Sequence, residues 1–522
     1  MVFILYINRN FPIQAERPAR NYPMTKTSKS TLTAGAIVLA ATQALYAQYA
    51  PPPPPAPFQG FLNEALRKDD PYMNKWDFGG SLRTRFEVRD NFGIAGVPGS
   101  LDFRKDGADV DNRYLLERLR VRAGYTDKWF GALVEGRSSL AQGDERFAST
   151  APLPATKREG PEQDSIDLHQ AYVTLGNHKE FPLSLKVGRQ ELIYGEERLI
   201  GAFGWNNIGR VFDAAKLRWQ NEWFGADAFA SRVVIPEDGR FNVANDYDWF
   251  SGVYATSTKI PKHSLDVYFL SRNASPQAST AEPHPQAPQP SARDIYTLGV
   301  RLKSNPGQIG NWDYTLDLIG QLGNFRDTRA GAPAERLDHE AYAVVLQGGY
   351  TFKDAWGTPR LGVEYAHGSG DSDPKDGKHG TFENLFPTNH KFYGYADFFS
   401  LQNLHDVRAI AQLKPHPRVS LALEGHAFWL ADTSDNLYTA AGTPRGGTGP
   451  TPGTGYGVND SYGSYVGSEV DFIAGCALTR YAQLEAGYAH FFRGDYVKQS
   501  LSAPTHSSAD ANWVYVQLSV NF

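Results

Sequence analysis

Along residues 82–88, Leu82, Thr84, Phe86 and Val88 alternate with Arg83, Arg85 and Glu87, and Arg89 continues the polar row. A period of two puts the apolar set on one face of a β-strand and the charged set on the other. The next segment repeats the scheme, with Leu115, Leu119, Val121, Ala123 and Tyr125 on one face and Arg118, Arg120 and Arg122 opposite. Further alternating segments follow near 129–140, 165–175, 183–193, 211–220, 224–234, 247–258, 263–272, 293–303, 311–324, 340–352, 359–368, 402–414, 418–430, 464–476, 481–492 and 511–522, with no helical period between them. The pattern therefore predicts eighteen strands from about residue 76 to Phe522.

The connections alternate in length. TDKW, GNHKEF, NEW, IPKH, SNPGQIG, KDAWGT, KPHPR and LTRY are short, and the others are long. An even number of strands with short turns at one end and long loops at the other predicts an all-β, transmembrane, antiparallel up-and-down β-barrel. Aromatic residues close the outward rows, as in Trp312, Tyr314, Leu316, Leu318, Leu322 and in Tyr342, Val344, Leu346, Tyr350, Phe352, where lipid interfaces favour rings. In the last strand Val514, Val516, Leu518, Val520 and Phe522 face outward while Tyr515, Gln517, Ser519 and Asn521 face inward. A terminal Phe522 on such a strand resembles the signal read by the barrel assembly machinery of bacterial outer membranes.

Composition agrees with strands. The 522 residues hold 50 glycines, 30 Phe, 27 Tyr and 10 Trp against three Met and one Cys, a balance that favours β-structure. Net charge is −5, without the overall basic footprint of a nucleic-acid binder. Lone Cys476 permits no internal disulfide framework. Residues 1–47 read as an export signal whose start is better placed at Met24: Lys26 and Lys29 precede the uncharged TLTAGAIVLAATQALYA, too short to span a membrane. Residues 48–75 form a Pro-rich linker and 76–522 the barrel.

Two longer blocks carry a family resemblance. Residues 168–213 run LHQAYV, then GRQEL, then a long loop with WNN and a returning FD; residues 362–408 run from GVEYAHGSGD through FPTNH and YGY. Together they resemble the alginate export family of outer-membrane proteins. The resemblance implies an outer-membrane channel of that type, for passive passage or secretion of an anionic polysaccharide, or of a small anionic solute. The family's founding member also carries a long periplasmic loop late in the barrel, where this chain has only LTRY, residues 478–481.

Strand parity populates the lumen independently of that resemblance. Arg83, Arg85, Arg89, Arg118, Arg120, Arg122, Arg137, Lys186, Lys216, Arg218, Arg301 and Lys303 face inward, mostly on one wall. Asp313, Asp317, Glu364, Asp406, Glu424, Glu469, Asp471 and Glu485 occupy the other, with Arg360 and Arg408 among them. Arginine rows of this kind hold carboxylates bidentately and pass them from site to site, which predicts an anion-selective channel. The candidate pore residues are Arg83, Arg85, Arg118, Arg120, Arg122, Arg137, Lys216, Arg218, Arg301 and Arg408. Equally, Arg–carboxylate pairs inside barrels merely satisfy one another, and the row at 118–122 is the best solute candidate because its own face carries no acid.

Other chemistry is sparse. Asp371, Asp373 and Asp376 with Gly377 approximate a calcium loop whose spacing is one residue too long, so no metal and no cofactor is expected. His169 reads as a packed strand histidine, and Arg189 breaks the inward parity of Lys186, Gly188 and Gln190, as at a bulge or rim. No catalytic motif appears, which leaves an enzyme on a barrel scaffold as a distant third hypothesis. A substrate-selective porin for uptake of small sugars or organic acids stays open beside the exporter.

Overall fold

The computed structural model describes residues 58–93, 102–105, 111–146, 160–177, 180–257, 259–275, 292–326, 336–445, 455–459, 461–502 and 507–522. The export signal at 1–47 and the Pro-rich run up to residue 57 lie outside them. The described chain forms eighteen long strands: β1 Trp76–Asp90, β2 Asn112–Thr126, β3 Phe130–Gln142, β4 Asp164–Gly176, β5 Leu183–Gln190, β6 Phe212–Gln220, β7 Phe224–Ile235, β8 Val243–Ser257, β9 His263–Ala274, β10 Ala292–Ser304, β11 Trp312–Arg326, β12 Leu337–Thr351, β13 Arg360–Gly368, β14 Leu404–His416, β15 Val419–Leu430, β16 Tyr465–Ala477, β17 Ala482–Arg493 and β18 Ala511–Asn521. Each pairs antiparallel with the next, and β1 also pairs with β18, so that Leu82 lies between Val520 and Leu119. Closure leaves no free edge among the long strands, as lipid demands of a sheet. Among the described residues no helix is long and apolar enough to cross a membrane.

All eight short turns fall at one end, where β1 begins and β18 ends. The outer face there and along the strands is apolar: Leu82, Phe86, Leu119, Val121, Leu298, Leu318, Leu346, Val363, Val514 and Val516 are exposed. Such a continuous apolar band faces hydrocarbon. Rings border it, with Trp312 4.8 Å from Tyr350 and Trp76 4.9 Å from Tyr125 at the short-turn end.

Strand limits differ from expectation where alternation of polarity stops marking them. β12 starts at Leu337 and β8 at Val243, because the ladder continues beyond the apolar band through polar residues such as Asp338, Glu340 and Asp246. β5 ends early, at Gln190, because the chain turns into the lumen. Alternation persists to that point, with Gly188 opposite Ala214 and Gln190 opposite Phe212. Gly188 adopts φ +125°, and a Cβ there would lie 2.2 Å from the Ala171 carbonyl oxygen. The register is kept, Tyr172 opposite Gly188 and Ala171 opposite Arg189, so no bulge forms: Arg189 lies on the face opposite the inward Phe212 and bonds its cross-strand partner Asp213 at 2.8 Å, while Gln190 is buried opposite Phe212.

Residues 61–69 of the expected linker are helical: α1 spans Phe61–Asp69. Nine residues are too few to hold a helix alone, so docking sustains it. Asn63 Nδ2 donates to Asp77 Oδ1 at 2.9 Å, Arg67 Nε to the Trp76 carbonyl at 3.2 Å, and Tyr481 donates to Glu64 at 2.7 Å. The Phe61 ring meets Tyr481 at 6.0 Å and Phe522 at 6.3 Å, clamping α1 across the rim beside the C-terminus. The late turn at 478–481 is short, as its sequence indicates.

Candidate functional site: a loop-filled lumen and its vestibule

The long connection after β5, residues 191–211, and that after β13, residues 369–403, fold into the barrel. They meet along their backbones: Phe386 N donates to Leu199 O at 2.9 Å, Gly201 N to Phe386 O at 2.9 Å, and Thr388 N to Glu197 O at 2.8 Å. Side chains complete the joint, with the Trp205 indole stacked on the His390 imidazole at 3.8 Å and 7° and Arg210 Nη1 donating to Pro387 O at 2.8 Å. Phe382, Phe386, Phe392, Tyr393 and Leu401 then bury themselves against Phe212, Phe229, Phe250 and Leu270 of the wall. The long-loop half of the barrel thus carries an apolar core where the strand pattern alone suggests an open polar lumen. Both family-like blocks of sequence map onto this joint.

Much of the arginine wall holds that insert. Arg83 Nη1 donates to Gly204 O at 2.9 Å, Arg118 Nη1 to the same oxygen at 3.0 Å and to Asn206 O at 3.2 Å, Arg85 Nη1 to Trp205 O at 2.7 Å, and Arg137 Nη1 to Ile208 O at 2.9 Å. Arg83 and Arg118 lie midway along their strands, so the insert reaches half-depth. Backbone carbonyls that a folded-in loop cannot pair with itself need such donors. Opposite, Arg198 Nη2 bonds Glu364 at 2.6 Å, Arg272 Nη1 bonds Glu383 at 2.8 Å, and Ala396 N donates to Glu469 at 2.9 Å. Gly394, φ +85°, lets this stretch pass the Glu469 carboxylate, where a Cβ would come within 2.6 Å.

The remaining candidates divide into two groups. Arg120 lies 3.3 Å from Glu191 and 3.9 Å from Glu135, and Arg122 lies 3.4 Å from Asp77 and 3.7 Å from Glu135. The 118–122 row thus finds its acids on neighbouring strands and on the insert, which its own strand's sequence does not show. Arg408 pairs with Glu424 and stands 3.8 Å from Glu364, within the acidic wall. Lys216, Arg218 and Arg301 instead line one cavity of about 340 Å³ beneath the insert, together with Tyr194, Tyr254 and Thr256.

That vestibule opens toward the short-turn end. Asp227 lies 2.8 Å from Arg218 and 3.4 Å from Lys216, and Asp266 2.6 Å from Arg301, so two carboxylates partly offset three cations. Arg301 Nη1 is buried without a hydrogen bond. Glu196 descends from the insert to Lys303 at 2.8 Å; burial pushes its carboxyl up, yet Arg198, Lys303 and Arg301 hold it below its ordinary range. Stacked tyrosines make the roof, Tyr194 on Tyr254 at 4.7 Å and Tyr254 on Tyr268 at 5.1 Å. The candidate set omitted Tyr194, Tyr254, Asp227 and Asp266; parity with Phe250 and Gly252 is the signal that marks Tyr254.

The approximate calcium loop is a run of turns. Asp371 accepts from Asp373 N at 3.3 Å, Asp373 from Lys375 N at 3.1 Å and Asp376 from Lys378 N at 2.8 Å. Among the described residues no group of three or more His, Cys, Asp or Glu side chains is placed to hold a metal. Ser369 of the Ser-Gly-Asp motif accepts from Tyr342 N at 3.0 Å and donates to Gly380 O at 2.8 Å, fixing where the chain leaves the wall. His169 is packed between Glu191, at 2.9 Å, and Arg137, at 3.2 Å.

Residues 74–509 match the family model described as alginate export. The fold is similar to that of OccAB4 from Acinetobacter baumannii, with 11% identity over 86% of this chain and 98% of that one and a TM-score of 0.52. It is also similar to OpdQ from Pseudomonas aeruginosa, with 12% identity, 86% and 98% coverage and a TM-score of 0.51. At these identities the likeness concerns the fold. A search of curated proteins finds no match.

Proposed function

Because the chain belongs to the alginate export family, we propose that it passes or secretes an anionic polysaccharide across the bacterial outer membrane through its arginine-rich lumen. Family and fold are those of channels rather than of enzymes, and both imply that membrane. The observation that carries the substrate class is the convergence of Lys216, Arg218 and Arg301 on one cavity beneath the insert. Cations partly neutralised by Asp227, Asp266 and Glu196 hold a carboxylate and still release it, which conduction requires. Arginine adds a planar, bidentate fork for each uronate group. Block of single-channel current by uronate oligomers tests the reading: Lys216→Gln with Arg218→Gln should weaken block by charged but not by neutral oligomers, and equal block in wild type and variant would refute it.

A second reading, a porin taking up small sugars or organic acids, is favoured by one observation. The insert occupies the long-loop half of the lumen, and a narrow path suits small solutes. Swelling of proteoliposomes in monosaccharide or monocarboxylate solutions, without passage of oligomers, would select it. Two sequence expectations complete the proposal: export directed by the segment beginning at Met24, and assembly through the strand ending at Phe522.

A further inference from the structure

On the outer surface, at the long-loop end of β12–β16, stands a row of rings that the lumen does not use. His367 pairs across strands with His405, His405 with Trp429, and Trp429 with Tyr465. The His367 and His405 rings stack at 4.3 Å, Tyr342 lies 5.3 Å from His367, and Trp429 5.5 Å from Tyr465. Parity sets this row outside, since the alternate residues Glu364, Asp406 and Phe428 are buried inward. Below it Val363 and Val407 are exposed in the lipid-facing band.

Over the row opens a cavity of about 550 Å³ lined by Tyr365, His405, Trp429, Asp432, Thr433 and Ser464, among others. That volume is within the range of small-molecule sites. Its polar edge is pre-set: Asn403 Oδ1 accepts from Asp432 N at 2.7 Å, Asn403 Nδ2 donates to Asp432 O at 2.9 Å, and Tyr365 OH bonds His405 Nδ1 at 2.8 Å. No Lys or Arg is among the lining residues, and Asp432 adds a carboxylate, which disfavours a phosphate. Flat rings beside hydroxyls and a carboxylate suit a pyranose, whose C–H face stacks on an indole while its hydroxyls bond to the rim.

We propose that this groove binds the sugar headgroup of a glycolipid of the outer leaflet, its acyl chains lying on the apolar band below. The inference rests on the outer-membrane location and is independent of what the lumen transports. The commitment to a lipid-borne sugar comes from continuity: the groove opens sideways onto the lipid-facing surface, through Val407.

The test uses the purified full-length barrel with two probes, lipopolysaccharide retaining its core sugars and lipid A lacking them, and reads retained lipid by native mass spectrometry. The core-bearing form should be retained more strongly, and Trp429→Ala and Thr433→Val should each lower its retention, the first by about tenfold, the worth of one aromatic contact. Equal retention of lipid A, or wild-type retention by both variants, would overturn the proposal. Should Trp429→Ala fail to fold by the heat-shift assay, Thr433→Val and a photoreactive residue replacing Ser464 decide. Cross-linking of that position to glycolipid supports the site, and cross-linking to a second copy of the barrel overturns it.

Discussion

Replacing Trp205 by Ala should loosen the insert without touching the barrel. The indole lies under the Arg85 guanidinium, 3.8 Å from its ring centre, and on His390 at 3.8 Å, with the edges of Trp513 and Tyr515 at 5.8 and 5.0 Å. A desolvated cation–π contact is worth about 2 kcal/mol and an aromatic pair about 0.5–1.5 kcal/mol, so the docked state loses about 3 kcal/mol. The Arg85 bond to the Trp205 carbonyl survives the change. At about 1.4 kcal/mol per tenfold, the population with residues 191–211 out of the lumen should rise about 100-fold. Single-channel recording reads this as more time in a wide conductance state, and trypsin reads it as faster cleavage at Arg198 or Arg210 in barrels that still show the heat-dependent gel shift. Unchanged conductance and cleavage would refute the view that this stack clamps the insert. Loss of the gel shift would show that Trp205 holds the barrel itself.

The remaining expectations concern charge. Reversal potentials under a salt gradient should show anion preference, fading between 0.1 M and 1 M salt as the screening length falls from about 10 Å to about 3 Å; strong cation selectivity would mean that the acidic wall dominates. Arg118→Ser, Arg120→Ser and Arg122→Ser together should weaken block by uronate oligomers while the barrel stays folded. Removing a partner from a fully buried pair costs about 3–5 kcal/mol, and these guanidiniums are partly exposed, so lost heat stability with unchanged block would mark them as staples. Burial, and then Asp435, push the Asp371 carboxyl up to about 6. A raised carboxyl favours the fold while protonated, so its stabilisation is full below about 4 and is lost as pH rises through about 6. Asp371→Asn should therefore resist loop proteolysis better than wild type at pH 7 and match it at pH 4; equal rates at both values would refute the assignment.

The strands, their inward and outward sides, the short-turn end and the closing partner of β1 were legible because lipid and water act on each strand separately. A hydrocarbon surface selects Leu119 and Val121 outward and leaves Arg118, Arg120 and Arg122 inward whatever the neighbours do, so period-two polarity suffices. Residues 168–213 and 362–408 announced a family from sequence but not a shape. What they build depends on pairs nearly two hundred residues apart, Leu199 with Phe386 and Trp205 with His390, and nothing local distinguishes a loop that folds inward from one that reaches into water. Parity placed Arg83 and Arg118 in the lumen, yet both bond the Gly204 and Asn206 carbonyls of the insert, and a backbone carbonyl carries no sequence signature. The row at 118–122 lacks an acid on its own strand, but Asp77, Glu135 and Glu191 come to it across the sheet and from the loop. The amino-acid order thus decided which residues face the lumen, through the solvent on each side of one strand. Which of them grip the insert and which line the vestibule was decided only by closure of the barrel, which brings distant segments into one enclosed volume where every buried polar group must find a partner.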